Sequence, residues 1–122
     1  MTLKASPSDA RFTYQMFEDT DVDENVKVDV TGAAATMHYL DCVSTDSSNV
    51  LYVKFFDATV VDRGTTPPVF VVEIPTSGSK RINFPDGMEF TTAVSYSCDQ
   101  SGGTAAGTGA GTNKMTIRFV VT

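Results

Sequence analysis

The chain has no tryptophan, one histidine and two cysteines in 122 residues, and it is nearly as poor in leucine and isoleucine, with three of each. Each scarcity excludes something. Three leucines cannot line the apolar stripe of a helical bundle. Cys42 and Cys98 are too few for the disulfide framework of a small secreted domain and read as reduced, buried side chains. No run approaches the ~20 apolar residues of a membrane-spanning helix, and Met1–Ala10 (MTLKASPSDA) has no apolar stretch like that of a signal peptide. Synthesis in a cytosol is the expectation. Positive charge is short as well: 9 basic residues against 15 acidic ones give −6. Such a surface repels phosphate, so nucleic acid and anionic membranes are not expected partners.

What the chain has is valine and threonine, 15 and 17 of them. Both branch at Cβ and pack well on a pleated surface. Alternation with period two, bounded by turn residues, marks the strands. These are Arg11–Phe17, with Phe12, Tyr14 and Met16 on one face; Val26–Val30, with its three valines together; and Ala35–Val43, of mixed pattern. Asn49–Phe56 sets Leu51, Val53 and Phe55 against Tyr52, Lys54 and Phe56. Val69–Ile74 puts Phe70, Val72 and Ile74 inward, and Ser79–Phe84 does the same with Ile82 and Phe84 before a turn at Pro85-Asp86-Gly87. Glu89–Cys98 and Lys114–Val121 alternate strictly, with Phe90 and Phe119 among the inward residues. About eight antiparallel strands with frequent turns predict one all-β domain, a β-sandwich of jelly-roll or immunoglobulin-like form. Residues 1–25 read as an N-terminal arm and acidic connection, and residues 26–122 as the sandwich.

Between the last two strands lies Asp99–Asn113 (DQSGGTAAGTGAGTN), with five glycines and no large apolar residue. It cannot bury enough apolar area to offset the ordering of its backbone. The expectation is a mobile tip or a segment ordered by another chain, whose removal over 101–111 leaves the monomer's stability almost unchanged. A phosphate cradle needs a helix after the glycines and a lysine nearby. A strand follows here.

No chemistry-bearing set assembles from the pattern. His38 and Cys42, four apart on one predicted strand face, stand roughly 13 Å from each other, too far for a thiol–imidazole pair. A zinc site needs four ligands in close pairs, which one histidine and two distant cysteines do not supply. Asp19, Asp21, Asp23 and Asn25 open like a calcium loop, but its glycine and closing glutamate positions hold Glu24 and Val30. The stretch reads as a solvated acidic connection or one that meets a basic patch on a partner. No catalytic, cofactor-binding or metal residues are assigned, and the expectation is a non-enzyme without cofactors. Tyr52, Phe56, Val69 and Val71 lie opposite the predicted core faces. With the arm, they point to self-association with closed cyclic symmetry.

Residues 50–98 (VLYVKFFDATVVDRGTTPPVFVVEIPTSGSKRINFPDGMEFTTAVSYSC) resemble a group of small tailed-bacteriophage structural proteins. The matching positions are Tyr52–Asp57, Arg63–Pro67, Ile74-Pro75, Gly78, Phe84, Gly87 and Phe90; the 35–43 strand and the Asp46–Asn49 turn also suit the pattern. Residues 1–25 lie outside it. The resemblance implies a β-sandwich that builds particles and carries no catalytic residues. Gly64, Gly78 and Gly87 would sit in turns with positive φ, Pro67 and Pro75 would fix chain direction, and Asp57 would cap a turn. The motif does not encode a place in the particle; the small size, acidity, lack of motifs and arm-like N-terminus lead to the expectation of a capsid decoration or cement protein, a homotrimer that bridges major capsid subunits, made in the host cytoplasm and carried on the virion. A tail, baseplate or head-fibre component is the alternative. A carbohydrate-binding module using exposed Tyr39 or Tyr52 stands as a third reading, from a different class.

Overall fold

The computed structural model describes residues 3–5 and 14–122. They form an all-β sandwich. The strands are β1 (Leu3–Ala5), β2 (Gln15–Asp19), β3 (Ala35–Ser44), β4 (Leu51–Asp57), β5 (Phe70–Ile74), β6 (Ser79–Phe90), β7 (Val94–Asp99) and β8 (Met115–Val121). One sheet has the order β1-β2-β8-β3-β6 and the other β5-β4-β7, and every strand pairing is antiparallel.

The core is where the two inner faces meet. Alternation delivers Met115, Ile117, Phe119 and Val121 of β8 inward, all buried, and Leu51, Val53 and Phe55 of β4 against them. The Phe55 ring stands edge-on to Phe119 with centroids 6.1 Å apart and stacks on Phe70 at 4.8 Å, while Phe119 stacks on Phe17 at 5.1 Å. Offset and edge-on contacts of this kind suit the ring quadrupoles. Burying rings of this size is the main force closing the sandwich.

Several sequence expectations need correction. The first predicted strand begins only at Gln15 among the described residues, and its inward residue is Phe17, with Tyr14 and Met16 outward and exposed; Phe12 lies outside the described residues. The segment expected as an arm thus contributes β2, which pairs with β8 along its whole length. Val26–Val30 is not a strand. Lys27 makes a single bridge to Tyr96, and Asp23 and Val30 each exchange one more backbone bond with β7. The carboxylates of Asp19 and Asp23 capture the amides of Asp21 and Asn25 two residues on, and such local bonds compete with a ladder.

Pro85-Asp86-Gly87 does not end a strand. The β3–β6 register steps from Met37↔Met88 to Tyr39↔Asn83, so residues 84–87 bulge opposite His38 within one long strand. Gly87 has φ 78°, and a Cβ there would collide with the Thr36 side chain; only glycine fits both demands. The predicted strand over 89–98 is two strands. After Phe90 the chain crosses to the other sheet, and the carboxylate of Asp57 takes the amides of Thr91, Thr92 and Ala93 at 2.9, 2.7 and 3.3 Å at that corner. The turn-capping role that the phage resemblance implied for Asp57 is the one it performs. Gly64 also has the positive φ expected of it, but at the 75–78 turn that conformation belongs to Ser77 (φ 48°). Gly78 is there because its backbone passes against Pro75 with no room for a side chain.

Candidate interaction surfaces

The chemistry-bearing side chains come first. On β3 the inward residues are Met37, Leu40 and Cys42, so the inward positions change parity between 37 and 40. That is the signature of the bulge, and it removes His38 from the face of Cys42, where strict alternation had placed both. His38 instead holds the Thr122 hydroxyl with Nε2 at 2.9 Å and meets the Tyr14 ring edge-on at 5.4 Å. Cys42 and Cys98 are free thiols buried in the core. Burial, with help from Asp41, pushes the Cys42 thiol up to about 12, and burial raises Cys98 as well. A thiol so raised is a poor nucleophile.

The acidic connection is not the solvated link its composition predicts. Asp19 is fully buried and accepts the Tyr96 hydroxyl at 2.9 Å. Burial first, then the Asp19 charge, push the Tyr96 phenol above its ordinary value, so it stays a donor. Asp21 is also buried and accepts the Asn113 amide at 2.7 Å. Val22, 1 % exposed, joins the core beside them and its amide donates to the Met115 carbonyl. The connection therefore seals the open edge of β7. Among the described residues, no group of three or more His, Cys, Asp and Glu is placed to hold a metal.

The Gly-rich segment shows the greatest departure from expectation. It lies on its own chain, gathered by one carboxylate. Asp99, 1 % exposed, receives Lys54 Nζ at 3.1 Å, Arg63 Nη2 at 3.4 Å, the Ser101 amide at 3.0 Å and the Gly107 amide at 3.3 Å. Lys54 Nζ reaches on to the Ala105 carbonyl at 2.9 Å, and Arg63 Nη2 donates to the Gly107 carbonyl. Gln100 and Thr108 pair through their backbones, and Ala110 is buried. The glycines explain why the loop can lie so close: the backbone at Gly102 passes over the Tyr52 ring, and Gly109 sits against the Glu24 carboxylate. The bonds a hydrophobic loop would not need replace the apolar burial this one lacks. Lys54 and Asp99 were legible as anomalies, a lysine inside LYVKFFD and an aspartate closing VSYSCD. Their pairing was not, because register decides it: Tyr52 stands opposite Asp99 and Lys54 opposite Ser97, which makes Lys54 and Asp99 diagonal neighbours on one face.

This hub and its loops cover the outer face of the three-stranded sheet. Phe56 is 4 % exposed and Tyr52 is half-buried, so the apolar residues that pointed to self-association are satisfied within the chain, apart from exposed Val69 and half-buried Val71.

Among the described residues, no loop covers the outer face of the five-stranded sheet in this way. One rung, in the order β2-β8-β3-β6, carries Glu18, Arg118, Asp41 and Arg81. Arg118 Nε lies 2.6 Å from Glu18, Arg118 Nη1 3.6 Å from Asp41, and Arg81 Nε 3.8 Å from Asp41. The next outward rung carries Met16, Val120, Tyr39 and Asn83, and Tyr14 continues the apolar strip beyond it. Tyr14 is 60 % and Met16 47 % exposed. In comparisons with known proteins, no family model, no curated protein and no solved structure matches this chain.

Proposed function

We propose that this chain is a non-enzymatic structural protein of a bacteriophage particle, a decoration or cement protein that stabilises the capsid by contact across subunit joints. Its partners on this reading are the major capsid protein and copies of itself, and its place is the virion. The observation that carries the proposal is the Gly-rich loop held by Asp99. Residues 101–113 carry no charge and only small side chains, so they can be covered by another protein without desolvating an ion. Because Asp99, Lys54 and Arg63 already fix the loop, docking it costs little further ordering. The residues that resemble small tailed-phage structural proteins support the reading in the same sense, since Asp57, Gly64 and Gly78 shape turns and Gly87 a bulge, with no chemistry among them.

The same loop, lying over the outer face of the smaller sheet, also suits a tail or baseplate contact, and copy number separates the two. In purified particles a decoration protein is expected in amounts comparable to the major capsid protein, and particles lacking it should lose heat resistance and recover it on adding the purified chain. A copy number of a few per particle would move the chain to the tail, and absence from particles would overturn the virion reading. The carbohydrate reading loses its best platform, because Tyr52 lies beneath the loop at Gly102.

A further inference from the structure

We infer that the outer face of the five-stranded sheet is a self-complementary surface, and that two copies of this chain pair through it about a two-fold axis parallel to the strands. Such pairing does not depend on where the protein works. A chain with net charge −6 repels its own copies, so any surface on which they meet must offset that repulsion locally. The rung Glu18, Arg118, Asp41, Arg81 does so by its order. Read across the sheet it runs negative, positive, negative, positive. An axis between β8 and β3 reverses that order and lays each charge on its opposite: Glu18 on the second copy's Arg81, and Arg118 on the second copy's Asp41. An isologous interface requires a patch that complements itself in this way.

The neighbouring rung obeys the same axis. Reversal lays Val120 on the second copy's Tyr39 and Met16 on the second copy's Asn83, so the apolar strip meets itself at its centre and a polar side chain at its rim. That is the usual anatomy of an interface. The charges are already held by one another, at 2.6 to 3.8 Å within the chain, so pairing need not order them afresh. Two sheets stacked in this manner keep their strand directions within about 30°, and β1, beyond β2, lies outside the overlap. Four strands about 19 Å across and about 20 Å long cover roughly 400 Å², which is small beside the ~800 Å² that each partner gives to a standard interface. The pairing is therefore concentration-dependent.

Sedimentation equilibrium on the purified chain tests this. Near 5 µM the mass should approach 13.1 kDa, and at about 500 µM it should approach twice that value, a range typical of small interfaces. Val120→Glu, on a strand face already half in water, should keep the wild-type circular dichroism and stay monomeric throughout. Arg118→Asp should also abolish pairing. The double variant Asp41→Arg with Arg118→Asp restores every opposition across the axis and should dimerise again, although it leaves like charges side by side within the chain. A monomer at about 500 µM, a trimer, or dimers that Val120→Glu leaves unchanged would each overturn the inference. None of these results bears on whether the chain is found in virions.

Discussion

The two outward faces of the sandwich carry similar side chains and meet different fates. Each sheet turns aromatic, aliphatic and charged residues away from the core: Tyr52, Phe56, Lys54 and Asp99 on the smaller sheet, Tyr39, Val120, Arg118 and Asp41 on the larger. On the smaller sheet the chain's own loops return to cover them, and Lys54 and Asp99 are 3 % and 1 % exposed. On the larger sheet Arg81 and Arg118 keep 75 % and 41 % of their side-chain exposure. An ion pair on the first face is therefore part of the fold. The pairs on the second face have their arginines largely in water, with the Asp41 carboxylate 12 % exposed beside them, and pairs so open contribute little. Charge alone does not say which residues are structural; cover does.

Breaking the covered face should give the largest effects. Asp99→Ala leaves Lys54 buried without its partner and releases both loops, and it should cost about 3–5 kcal/mol in urea unfolding at neutral pH. Phe119→Ala, at the centre of the aromatic cluster, should cost a similar ~3–5 kcal/mol and serves as the yardstick. If Asp99→Ala costs under about 1 kcal/mol, the hub is no more than a surface pair. Deleting residues 101–111 should destabilise by about 1–3 kcal/mol, because Lys54 and Arg63 lose carbonyl partners in a buried setting. The composition of the loop alone predicts almost no change, so this measurement decides between the two.

The corner at Asp57 ranks next. Desolvation, the largest single influence, raises its carboxyl. The amides of Thr92, Thr91 and Ala93 and the Thr91 hydroxyl outweigh that and hold it below its ordinary value. The Asp46 carboxyl is held low chiefly by the Ser48 amide. A folded value below the unfolded one means that both contribute stability above the unfolded value near ~3.9 and lose it as pH falls through the folded value. Urea midpoints should fall steadily below about pH 4 in the wild type and less steeply in Asp57→Asn. Equal slopes would mean that the corner bonds do not favour the charged form. Least affected of all should be the bare face: Val120→Glu is expected to change monomer stability by under about 0.5 kcal/mol. A larger loss at a concentration where the chain is monomeric would show that this face too is covered.

The same contrast explains what could be read from the sequence. Alternation located both halves of the core, because Met115 to Val121 and Leu51 to Phe55 have one face against aromatic rings and the other outward. It failed where the chain leaves regular pairing. The inserted residue on β3 cannot be seen in ATMHYLDCV, and it puts His38 and Cys42 on opposite faces. The crossing at Thr91–Ala93 sits inside an unbroken alternating run, since Asp57 supplies the corner from 34 residues away. The Gly-rich loop was misread because its order comes from three charged side chains that no local pattern contains. Burial of Asp19 and Asp21 escaped for the same reason: their partners Tyr96 and Asn113 are remote in sequence.

The place of β8 has one more consequence. It lies between β2 and β3, so Gln15 pairs with Val121 across nearly the whole described chain. The five-stranded sheet cannot close on the ribosome before residue 121 has been made, and until then β2 and β3 each expose a face and an edge meant for the same absent strand. Folding gated by so distant a partner is slow, in the range of milliseconds to seconds, and the waiting chain is vulnerable to premature association with its neighbours. For this protein, the interval between synthesis and closure, more than the folded state, is where quality control has its opportunity.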